Sequence, residues 1–570
     1  MSNNPFNHSH FIGYINQVLP QYVKVHFPSS VLMKSFTFYG EELKGGLVGN
    51  YVVIEGEKYG FLGKILELSL PEKERLELSE KSFSTKDFHP TGKIEILLSF
   101  ELFNPTKIDK GLNSLPMIGS KVFICSSEFI KGYFKNFGVK DGYVGTPPTI
   151  NLGHLTYDKS TLVELSQQAL FGRHCAIVGT TGGGKSYTVS RLLEGIINNN
   201  NKAIIIDPTG EYSTFDNEKD KVEKTILISN SCFSYKNLTI SDLFVLFKPA
   251  GQVQQPILLE AIKSLKMIKV NAEQEASKKI TCLNAKTLIK TGTKKSDVNN
   301  FYFKNISEID NLNADFDITQ LINQIKNECI WDSGGTQSNP DTTIWGGKND
   351  NYLNNCISLI LRINNVLQNN DYKKMFGFEE FDNKNDLISI IDSFLKGDKN
   401  ILRIGFENVP YNFQVREILA NSIGKYLLNL SRENDFKEKP LVLFVDEAHQ
   451  FFNKKVKDEY FESTELNSFD TIAKESRKYG LFLCISTQMP RDIPNGTLSQ
   501  IGTFIAHRLI NYQDKEAIAN ACSSANRDTL AFLPVLGSGE AILMGVDFPM
   551  PVMLKIESPQ IKPNSETPLF

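Results

Sequence analysis

The chain has 570 residues, of which 62 are Lys or Arg and 65 are Asp or Glu, so its formal net charge is −3. This length is enough for roughly three or four domains, and 41% of the residues are hydrophobic. The composition excludes a wholly disordered chain, a collagen-like fibre and a protein coated with basic residues. It does not exclude nucleic-acid binding, because a ring can confine its basic contacts to a pore.

The cysteines and the N-terminal residues are used to predict the cellular compartment of the protein. The eight cysteines are spread along the chain without a CxxC pair, which argues against a zinc ribbon and against a disulfide framework. The N-terminus lacks the basic and apolar segments of a signal peptide. No apolar run reaches the roughly 20 residues of a membrane helix. These features predict a cytoplasmic protein with free, buried thiols and no membrane partner.

Residues 1–150 are predicted to form an N-terminal β domain. Short runs rich in β-branched and aromatic residues are separated by Gly, Pro and Asn, as is typical of strands and turns. The clearest runs are 22–27, 51–55, 93–98 and 121–125. Several short strands with turn signals indicate a small barrel or a sandwich.

The pattern changes to α/β beyond residue 150. An apolar strand at 175–178 leads through a glycine loop into an amphipathic helix at 186–197, and a strand at 203–206 follows. Such a β–loop–α–β unit begins a parallel sheet. Further strand-like runs lie at 441–445, 481–486 and 503–506. The predicted fold class is therefore α/β.

The domain organisation follows from these patterns. Residues 151–240 and 401–557 are predicted to form the α/β core, and residues 241–400 a mostly helical insertion. Helical spacing in the insertion is clearest at 257–270, 318–330 and 352–367. Partial disorder is the alternative for this Asn-rich region. The tail, 558–570, is rich in Pro and polar residues and is either an arm or frayed.

Residues 179–186 read GTTGGGKS and match the phosphate-binding pattern G-x-x-x-x-G-K-[ST]. The match lies between a predicted strand and a predicted helix, as the chemistry requires. Glycines let backbone N–H groups surround a phosphate, and the helix N-terminus adds positive potential. Lys185 would reach the β- and γ-phosphates of ATP, and the Ser186 hydroxyl would ligate Mg²⁺. The predicted nucleotide-binding residues are Gly179, Thr181, Gly182, Gly183, Gly184, Lys185, Ser186 and Tyr187.

Two later strands end in polar residues that complete this site. The apolar run 441–445 ends in Asp446 and Glu447. Asp446 would hold Mg²⁺, and Glu447 would orient and deprotonate the attacking water, which indicates hydrolysis rather than mere binding. The run 481–486 leads to Gln488, whose amide is suited to sense the γ-phosphate or the water.

Two other nucleotide-dependent classes share short motifs with this chain. Residues 446–449 spell DEAH, as in superfamily-two helicases, but they lie much further from Lys185 than in those enzymes, and no second motor domain follows. Residues 207–210 fit D-x-x-G and residues 383–386 spell NKND, as in GTPases. The latter motif follows no apolar strand, so both alternatives are disfavoured.

The motifs, taken in chain order, resemble those of the HerA family, within the HerA/FtsK group of ring-forming DNA-pumping ATPases. They lie at residues 172–186, 204–212, 445–449, 472–480, 486–488 and 504–508. The resemblance implies a RecA-like P-loop ATPase core, an N-terminal β-barrel and a helical insertion. It also implies a homohexamer with ATP sites between its subunits and double-stranded DNA in a central pore.

The resemblance gives the arginines a possible role. A site at a subunit boundary needs a cation from the neighbour to neutralise charge on the γ-phosphate. Arg477 is the first candidate, Arg508 the second and Arg173 a weaker third, with a surface or interface salt bridge as the alternative for each. Glu211 matches a family position near the nucleotide, and Asp207 is expected to end a strand and support the site.

The remaining predictions concern DNA. A translocase must contact the phosphate backbone without reading bases. Lys454, Lys455 and Lys457, in the predicted loop after the acidic strand, could line the pore or form a solvated loop. His449 could sense phosphate or DNA, or be structural.

The resemblance implies an ATP-driven hexameric translocase or helicase acting on double-stranded DNA. Related systems pair the ATPase with a separate effector, a nuclease or a sirtuin-like NAD-consuming enzyme, in anti-phage defence or DNA end processing. The chain has no nuclease motif, so we expect such a partner to dock near the N-terminal barrel. The alternatives are a ring-shaped ATPase scaffold that licenses an effector without processive movement, and a conjugation or secretion ATPase.

Overall fold

The computed structural model describes residues 4–565, except 21, 34, 39–40, 45–47, 76–86, 103, 110–113, 138, 140–144, 276–280, 284, 337, 379–385, 412–413, 453, 459–460, 523–526, 546–547 and 549. Within these residues, a closed barrel and an eleven-stranded sheet dominate the fold. The predicted α/β class, with an N-terminal barrel and a P-loop core, is confirmed. No helix in the described part of the chain is long and apolar enough to cross a bilayer.

The strands are numbered in chain order. They are β1 (Phe11–Val18), β2 (Tyr22–His26), β3 (Ser35–Phe38), β4 (Glu41–Lys44), β5 (Tyr51–Ile54), β6 (Tyr59–Ser69), β7 (Thr91–Glu101), β8 (Asn104–Asp109), β9 (Lys121–Ile124), β10 (Thr149–Leu155), β11 (Leu162–Ser166), β12 (Cys175–Val178), β13 (Lys202–Asp207), β14 (Val222–Ile226), β15 (Gly334–Thr336), β16 (Asn339–Asp341), β17 (Ile401–Gly405), β18 (Leu441–Val445), β19 (Lys454–Asp458), β20 (Phe461–Leu466), β21 (Leu481–Thr487), β22 (Thr503–Ala506), β23 (Glu540–Met544) and β24 (Val552–Ile556).

The α-helices separate these strands. They span Glu72–Arg75, Ser127–Asn136, Gln167–Phe171, Lys185–Asn198, Ile240–Phe247, Gly251–Glu273, Lys295–Lys304, Ile306–Ile309, Leu321–Glu328, Asp350–Gln368, Asn370–Phe376, Leu387–Lys396, Val415–Arg432, Ser468–Glu475, Asn495–Leu498, Tyr512–Ala521 and Arg527–Phe532. The helix Ser127–Asn136 was not predicted. It lies in the N-terminal region that the sequence indicated as β structure.

The N-terminal strands form a barrel rather than a sandwich. The order β2-β1-β9-β5-β6-β7 closes on itself because β2 also pairs with β7, and β8 extends from β7. Alternate side chains fill the interior, including Val23, Val25 and Ile94, as the two-residue period of a strand requires. Closure removes the exposed edges of the six barrel strands, where chains could otherwise pair, and leaves β8 as an edge strand.

The large sheet has the order β11-β10-β24-β23-β22-β12-β21-β18-β13-β17-β14. The strands from β22 to β14 are parallel to one another. Strand β12 is buried on both sides, with Ala176 and Val178 on one face and Cys175 and Ile177 on the other. A parallel sheet needs cover on both faces, and here two separate hydrophobic clusters supply it.

One face of the sheet carries the barrel. Outward-facing barrel residues such as Val53, Leu62 and Phe100 belong to the same cluster as Cys175 and Ile177. The Tyr51 hydroxyl also donates a 3.2 Å hydrogen bond to the carbonyl of Pro551, from a buried position. The barrel is therefore packed onto the α/β core through a shared apolar cluster.

The opposite face carries the helices of the 241–400 region. Residues such as Leu258, Ile325 and Leu359 join the cluster that contains Ala176 and Val178. The described residues of this region are mostly helical. Many share that core, and others, such as Val298 and Phe301, pack in a smaller cluster of their own, so the described residues are packed rather than disordered. After the 241–400 region the chain re-enters the large sheet as β17, which pairs with β13.

The described part of the tail is packed, not frayed. The Ile561 N–H donates a 2.7 Å hydrogen bond to the carboxylate of Glu194, on the helix that follows the glycine loop. The Asn564 N–H donates to the Glu211 carbonyl, at 2.7 Å. The tail thus lies across the edge of the sheet where the glycine loop is.

Candidate nucleotide-binding site

The glycine loop joins β12 to the helix Lys185–Asn198. Gly184 caps this helix with a left-handed backbone, φ +115°, which favours glycine. Gly179 has no room for a side chain, because a Cβ there would lie 2.6 Å from the Cβ of His507. The local backbone therefore explains why glycines occupy these positions of the motif.

Lys185 points into the site. Its Nζ donates a 3.3 Å hydrogen bond to the Thr180 carbonyl, and only 7% of the residue is exposed. Burial lowers the pKa of this ammonium, while the carboxylates of Glu447, Asp446 and Glu211 act in the opposite direction. The cation is thus held among the carboxylates and the loop that would bind phosphate.

The acidic pair lies at the end of β18, beside the loop. Burial, together with the charges of Glu447 and Glu211, raises the pKa of Asp446 to about 8. Its Oδ2 is buried without a hydrogen-bond partner among the described residues. Glu447 has a left-handed backbone, φ 44°, a strained conformation for a residue with a side chain.

Gln488 connects the two halves of the site. Its Oε1 accepts a 2.6 Å hydrogen bond from the Thr181 hydroxyl, and its Nε2 donates to Glu447 Oε1, also at 2.6 Å. One amide therefore bridges the glycine loop and the carboxylate predicted to activate water. Because β21 lies between β12 and β18, its end falls between these two groups.

These residues surround a cavity of about 450 Å³. Its lining consists of Thr181, Gly182, Gly184, Lys185, Ser186, Tyr187, Glu211, Asp446, Glu447, Gln488, Ser538, Gly539, Lys555, Ile556, Ser558 and Ser565. The unpartnered Asp446 oxygen and the Ser186 hydroxyl are hard oxygen donors in the same cavity, and they fit a magnesium ion. Burial raises the pKa of Glu211 as well.

A buried histidine, His507, supports the glycine loop from behind, and the sequence did not predict this contact. The Nδ1 of the buried His507 is 2.9 Å from the Glu540 carbonyl, and its Nε2 is 2.8 Å from the Thr188 hydroxyl. A carbonyl only accepts, so Nδ1 donates and the imidazole is the neutral tautomer. Burial lowers the pKa of His507 to about 4. His507 stands in the 504–508 motif, but nothing in the sequence indicated that it would contact the glycine loop.

Asp207 supports the site from the end of β13. Its carboxylate accepts hydrogen bonds from the backbone N–H groups of Gly210, Glu211 and Tyr212. Arg403 Nη1 donates to it at 3.0 Å, and both side chains are fully buried. Arg403, which the sequence did not single out, thereby holds the segment that places Glu211.

The arginines fall at different edges of the sheet. The carbonyl of Arg508 accepts from the Thr180 N–H at 2.9 Å, and its side chain is exposed beside the loop. Arg477 is also exposed, but it precedes β21, at the edge where the parallel strands begin. The half-buried Arg173 precedes β12 at that same edge. Within one chain, Arg508 alone of these three lies at the glycine-loop edge.

The predicted lysine loop is instead a β-hairpin. Strand β19 pairs with β20 in antiparallel fashion. The side chains of Lys454, Lys455 and Lys457 lie outside the described residues, so their pore role stays a prediction. His449 contacts the site, since its Nδ1 is 3.3 Å from Glu447 Oε2 and 3.3 Å from the Thr487 hydroxyl.

The GTPase-like motif lies elsewhere. Asp386 accepts a 3.0 Å hydrogen bond from the Ser234 N–H and another from Asn237. The other NKND residues lie outside the described part of the chain. Because Asp386 is committed to these contacts, it does not act as the base-reading carboxylate of a GTPase.

Fold and site together define a P-loop ATPase. A glycine loop leads from a buried parallel strand into a helix. The neighbouring strand ends bring two carboxylates and an amide against it, a combination suited to binding and hydrolysing a nucleoside triphosphate.

Comparison with known proteins gives the family. The model of the HerA helicase central domain matches residues 150–429, and that of the HerA-like C-terminal domain matches residues 422–563. The chain belongs to the HerA helicase family, which confirms the resemblance seen in the sequence motifs.

Several relatives match at low identity. The chain is 26% identical over 467 residues to the "probable DNA double-strand break repair helicase HerA" of Methanocaldococcus jannaschii, covering 78% of this chain and 82% of the relative. It is 21% identical to the DNA double-strand break repair helicase HerA of Pyrococcus furiosus, covering 77% and 73%. Among solved structures it is similar to the bacterial conjugative coupling protein TrwB, with 13% identity, 76% and 94% coverage and a TM-score of 0.42.

Proposed function

We propose that the protein is an ATP-hydrolysing, hexameric translocase or helicase that acts on double-stranded DNA together with a separate effector. The observation that carries this proposal is the Thr181–Gln488–Glu447 chain of hydrogen bonds. It links the phosphate-binding loop directly to the carboxylate that would activate water. A site built only to hold a nucleotide has no need of this connection.

The residues divide the chemistry among themselves. The loop N–H groups and Lys185 bind the β- and γ-phosphates. Ser186 and Asp446 hold Mg²⁺, which neutralises charge on the phosphates when it is bound. Glu447 orients the attacking water and accepts its proton. The Nε2 of Gln488, which donates to Glu447 in this structure, is the group of this amide that donates to a γ-phosphate oxygen when nucleotide is bound.

The exposed arginines support a ring. A γ-phosphate that is about to be transferred needs further positive charge. Arg477 lies at the opposite edge of the sheet from the glycine loop, so it can serve only the site of another subunit. Arg508 lies beside its own loop and serves the site of its own chain. In a closed ring, the edge of one subunit that carries Arg477 faces the glycine-loop edge of the next subunit. This arrangement accommodates the positions of both arginines.

The DNA and effector contacts extend this proposal. The names of the archaeal relatives associate them with DNA double-strand break repair. The hairpin β19–β20 carries Lys454, Lys455 and Lys457, and we place it in the pore, where contacts to phosphate need no base sequence. The barrel packs on one face of the core through its outer surface, and we assign its remaining surface to the effector in anti-phage defence or DNA end processing.

The test is ATP hydrolysis with and without long double-stranded DNA, with Lys185→Ala as the blank. We expect hydrolysis that Lys185→Ala abolishes and that DNA stimulates severalfold. Absence of hydrolysis in the wild type would overturn the proposal. Hydrolysis that does not respond to DNA would favour the second candidate, a ring-shaped scaffold that licenses an effector, for which the packed barrel offers a platform.

A further inference from the structure

The nucleotide cavity has a wall that the sequence motifs do not include. The turn before β23 lies directly on the glycine loop, because the Gly539 N–H donates a 3.0 Å hydrogen bond to the Gly183 carbonyl. A Cβ added to Gly184 would lie 3.0 Å from the Cα of Gly539. The end of β24 completes this wall with Lys555, so the C-terminal hairpin and the loop enclose one space.

Lys555 brings a second cation into that space. Its Nζ donates to the carbonyl of Ser538, and it lies 3.5 Å from the position a Cβ would take on Gly539. Among the residues that line the cavity, the cations are Lys185 and Lys555. The Ser538 carbonyl is neutral, and no carboxylate in the described part of the chain forms an ion pair with Lys555. An ammonium has three donors, so two remain for a ligand.

The position of Lys555 along the cavity indicates which part of a nucleotide it meets. Glu447 and Gln488 mark the end where the γ-phosphate is attacked. Lys185 and Ser186 follow at the β- and γ-phosphates. Gly539 contacts Gly184 on one side and Lys555 on the other, so Lys555 lies beyond Gly184 in the lining that also includes Ser558. The next anionic group of a nucleotide in that direction is its α-phosphate.

We propose that Lys555 binds the α-phosphate of the nucleotide from the C-terminal hairpin of the same chain. This inference rests on the proposed ATPase function. Lys555 forms no ion pair with a carboxylate of the described residues, and a phosphate oxygen of the nucleotide supplies its anionic partner. Because the α-phosphate does not take part in the reaction, Lys555 holds substrate and product alike and does not stabilise the transition state.

The test compares the affinities of ATP, ADP and AMP in the full-length protein, by competition with a fluorescent nucleotide. Lys555→Met removes the charge and keeps the stem, Lys555→Arg restores a cation, and Lys562→Met is the control at an exposed lysine of the same terminal segment. We expect Lys555→Met to weaken all three nucleotides by about tenfold, as for loss of a charge-assisted hydrogen bond. The KM for ATP should rise with little change in kcat, and Lys555→Arg should recover most of the affinity.

The possible results separate this inference from the function on which it rests. Wild-type affinity for ADP in Lys555→Met, or a loss confined to ATP, would overturn the α-phosphate assignment. Lys555→Gln keeps a donor for the Ser538 carbonyl, and an equal loss in this variant would assign the effect to charge rather than to a misfolded turn. Absence of nucleotide binding by the wild type would instead overturn the proposed ATPase function.

Discussion

The two edges of the parallel sheet carry different polar groups. At the edge where the strands end, Gln488 bridges Thr181 and Glu447, and Asp207 is surrounded by donors. At the edge where the strands begin, Arg477 is exposed and forms no ion pair within the described chain. One chain brings the groups of the first edge together, whereas the second edge presents Arg477, which pairs with no carboxylate among the described residues.

In the proposed ring, this difference would make hydrolysis depend on assembly. The groups proposed to bind the nucleotide and to activate water are brought together at one edge by a single chain. Transition-state charge on the γ-phosphate still calls for a cation, and the opposite edge holds one. Each of the following experiments tests one side of this comparison, from the largest expected effect to the smallest.

Glu447→Gln tests the edge where the strands end. The amide cannot accept a proton from water, so we expect kcat for ATP hydrolysis to fall by about a thousandfold, as for loss of a general base. The affinity for ATP should change little, because the phosphate-binding loop is intact. Steady-state hydrolysis and equilibrium nucleotide binding measure the two effects, with Glu433→Gln on the surface as the control. Retention of more than a tenth of the activity would assign the water to another residue.

Arg403→Met tests the buried ion pair with Asp207 at the edge where the strands end. It leaves the buried Asp207 carboxylate without its cation, and breaking a buried pair in this way costs about 3 kcal/mol. We expect a lower urea midpoint of unfolding. Adding Asp207→Asn to the Arg403→Met variant should recover part of the loss, because the uncompensated charge is then removed. A midpoint equal to that of the wild type would mean that Asp207 is held by its backbone donors without Arg403.

Mixing inactive variants tests whether Arg477, at the edge where the strands begin, acts on the site of a neighbouring subunit. Arg477→Ala should lower hydrolysis by about a hundredfold, as for loss of one group that stabilises the transition state. When Arg477→Ala and Glu447→Gln chains are mixed, we expect activity above that of either parent. A chain with an intact Glu447 can then meet a neighbour with an intact Arg477. The same mixture with Arg508→Ala should stay inactive, because Arg508 lies beside its own loop, and recovery there would reverse the assignment.

Two of the buried histidines, His174 and His507, allow the two edges to be compared by their pH dependence. His174 precedes β12 at one edge and accepts from the Leu483 N–H at 2.9 Å, and His507 lies at the other. Burial lowers the pKa of each to about 4. The unfolded chain, with an ordinary histidine pKa near 6.5, binds protons first as the pH falls, so stability is present above that value and is lost below it.

Between pH 7.5 and pH 6 we expect a loss of about 1 kcal/mol for each histidine in the free energy of unfolding. Urea titrations over this range measure it. His174→Gln and His507→Gln should each remove about half of the slope that these two histidines contribute. A slope unaffected by both variants would show that other groups carry the pH dependence.

The predicted part of the site consists of segments that are continuous in the chain. Residues 179–186 and the Asp446–Glu447 pair each carry their chemistry within a few positions, next to a recognisable apolar strand. Such local patterns constrain the backbone directly, because a strand that ends in a glycine loop before a helix has few conformations. The fold class was predicted for the same reason.

The missed features depend on partners far apart in the sequence. Nothing near His507 indicates that it packs against Gly179, and nothing near Lys555 indicates a nucleotide cavity. Both follow from the sheet order β24-β23-β22-β12, which places the C-terminal strands beside the loop. The hairpin β19–β20 was predicted as a loop, because its lysine-rich sequence has a weak strand propensity and its backbone pairing is not visible in one segment.

The sequence by itself determined the class of chemistry, since a phosphate loop, a pair of carboxylates and a strand-end amide are each defined by neighbouring residues. The tertiary structure decided which of these groups touch, which arginine lies at which edge, and that the C-terminal hairpin encloses the site. The physical reason is that these contacts are set by strand order and by the burial of both sheet faces, which depend on the packing of the whole chain.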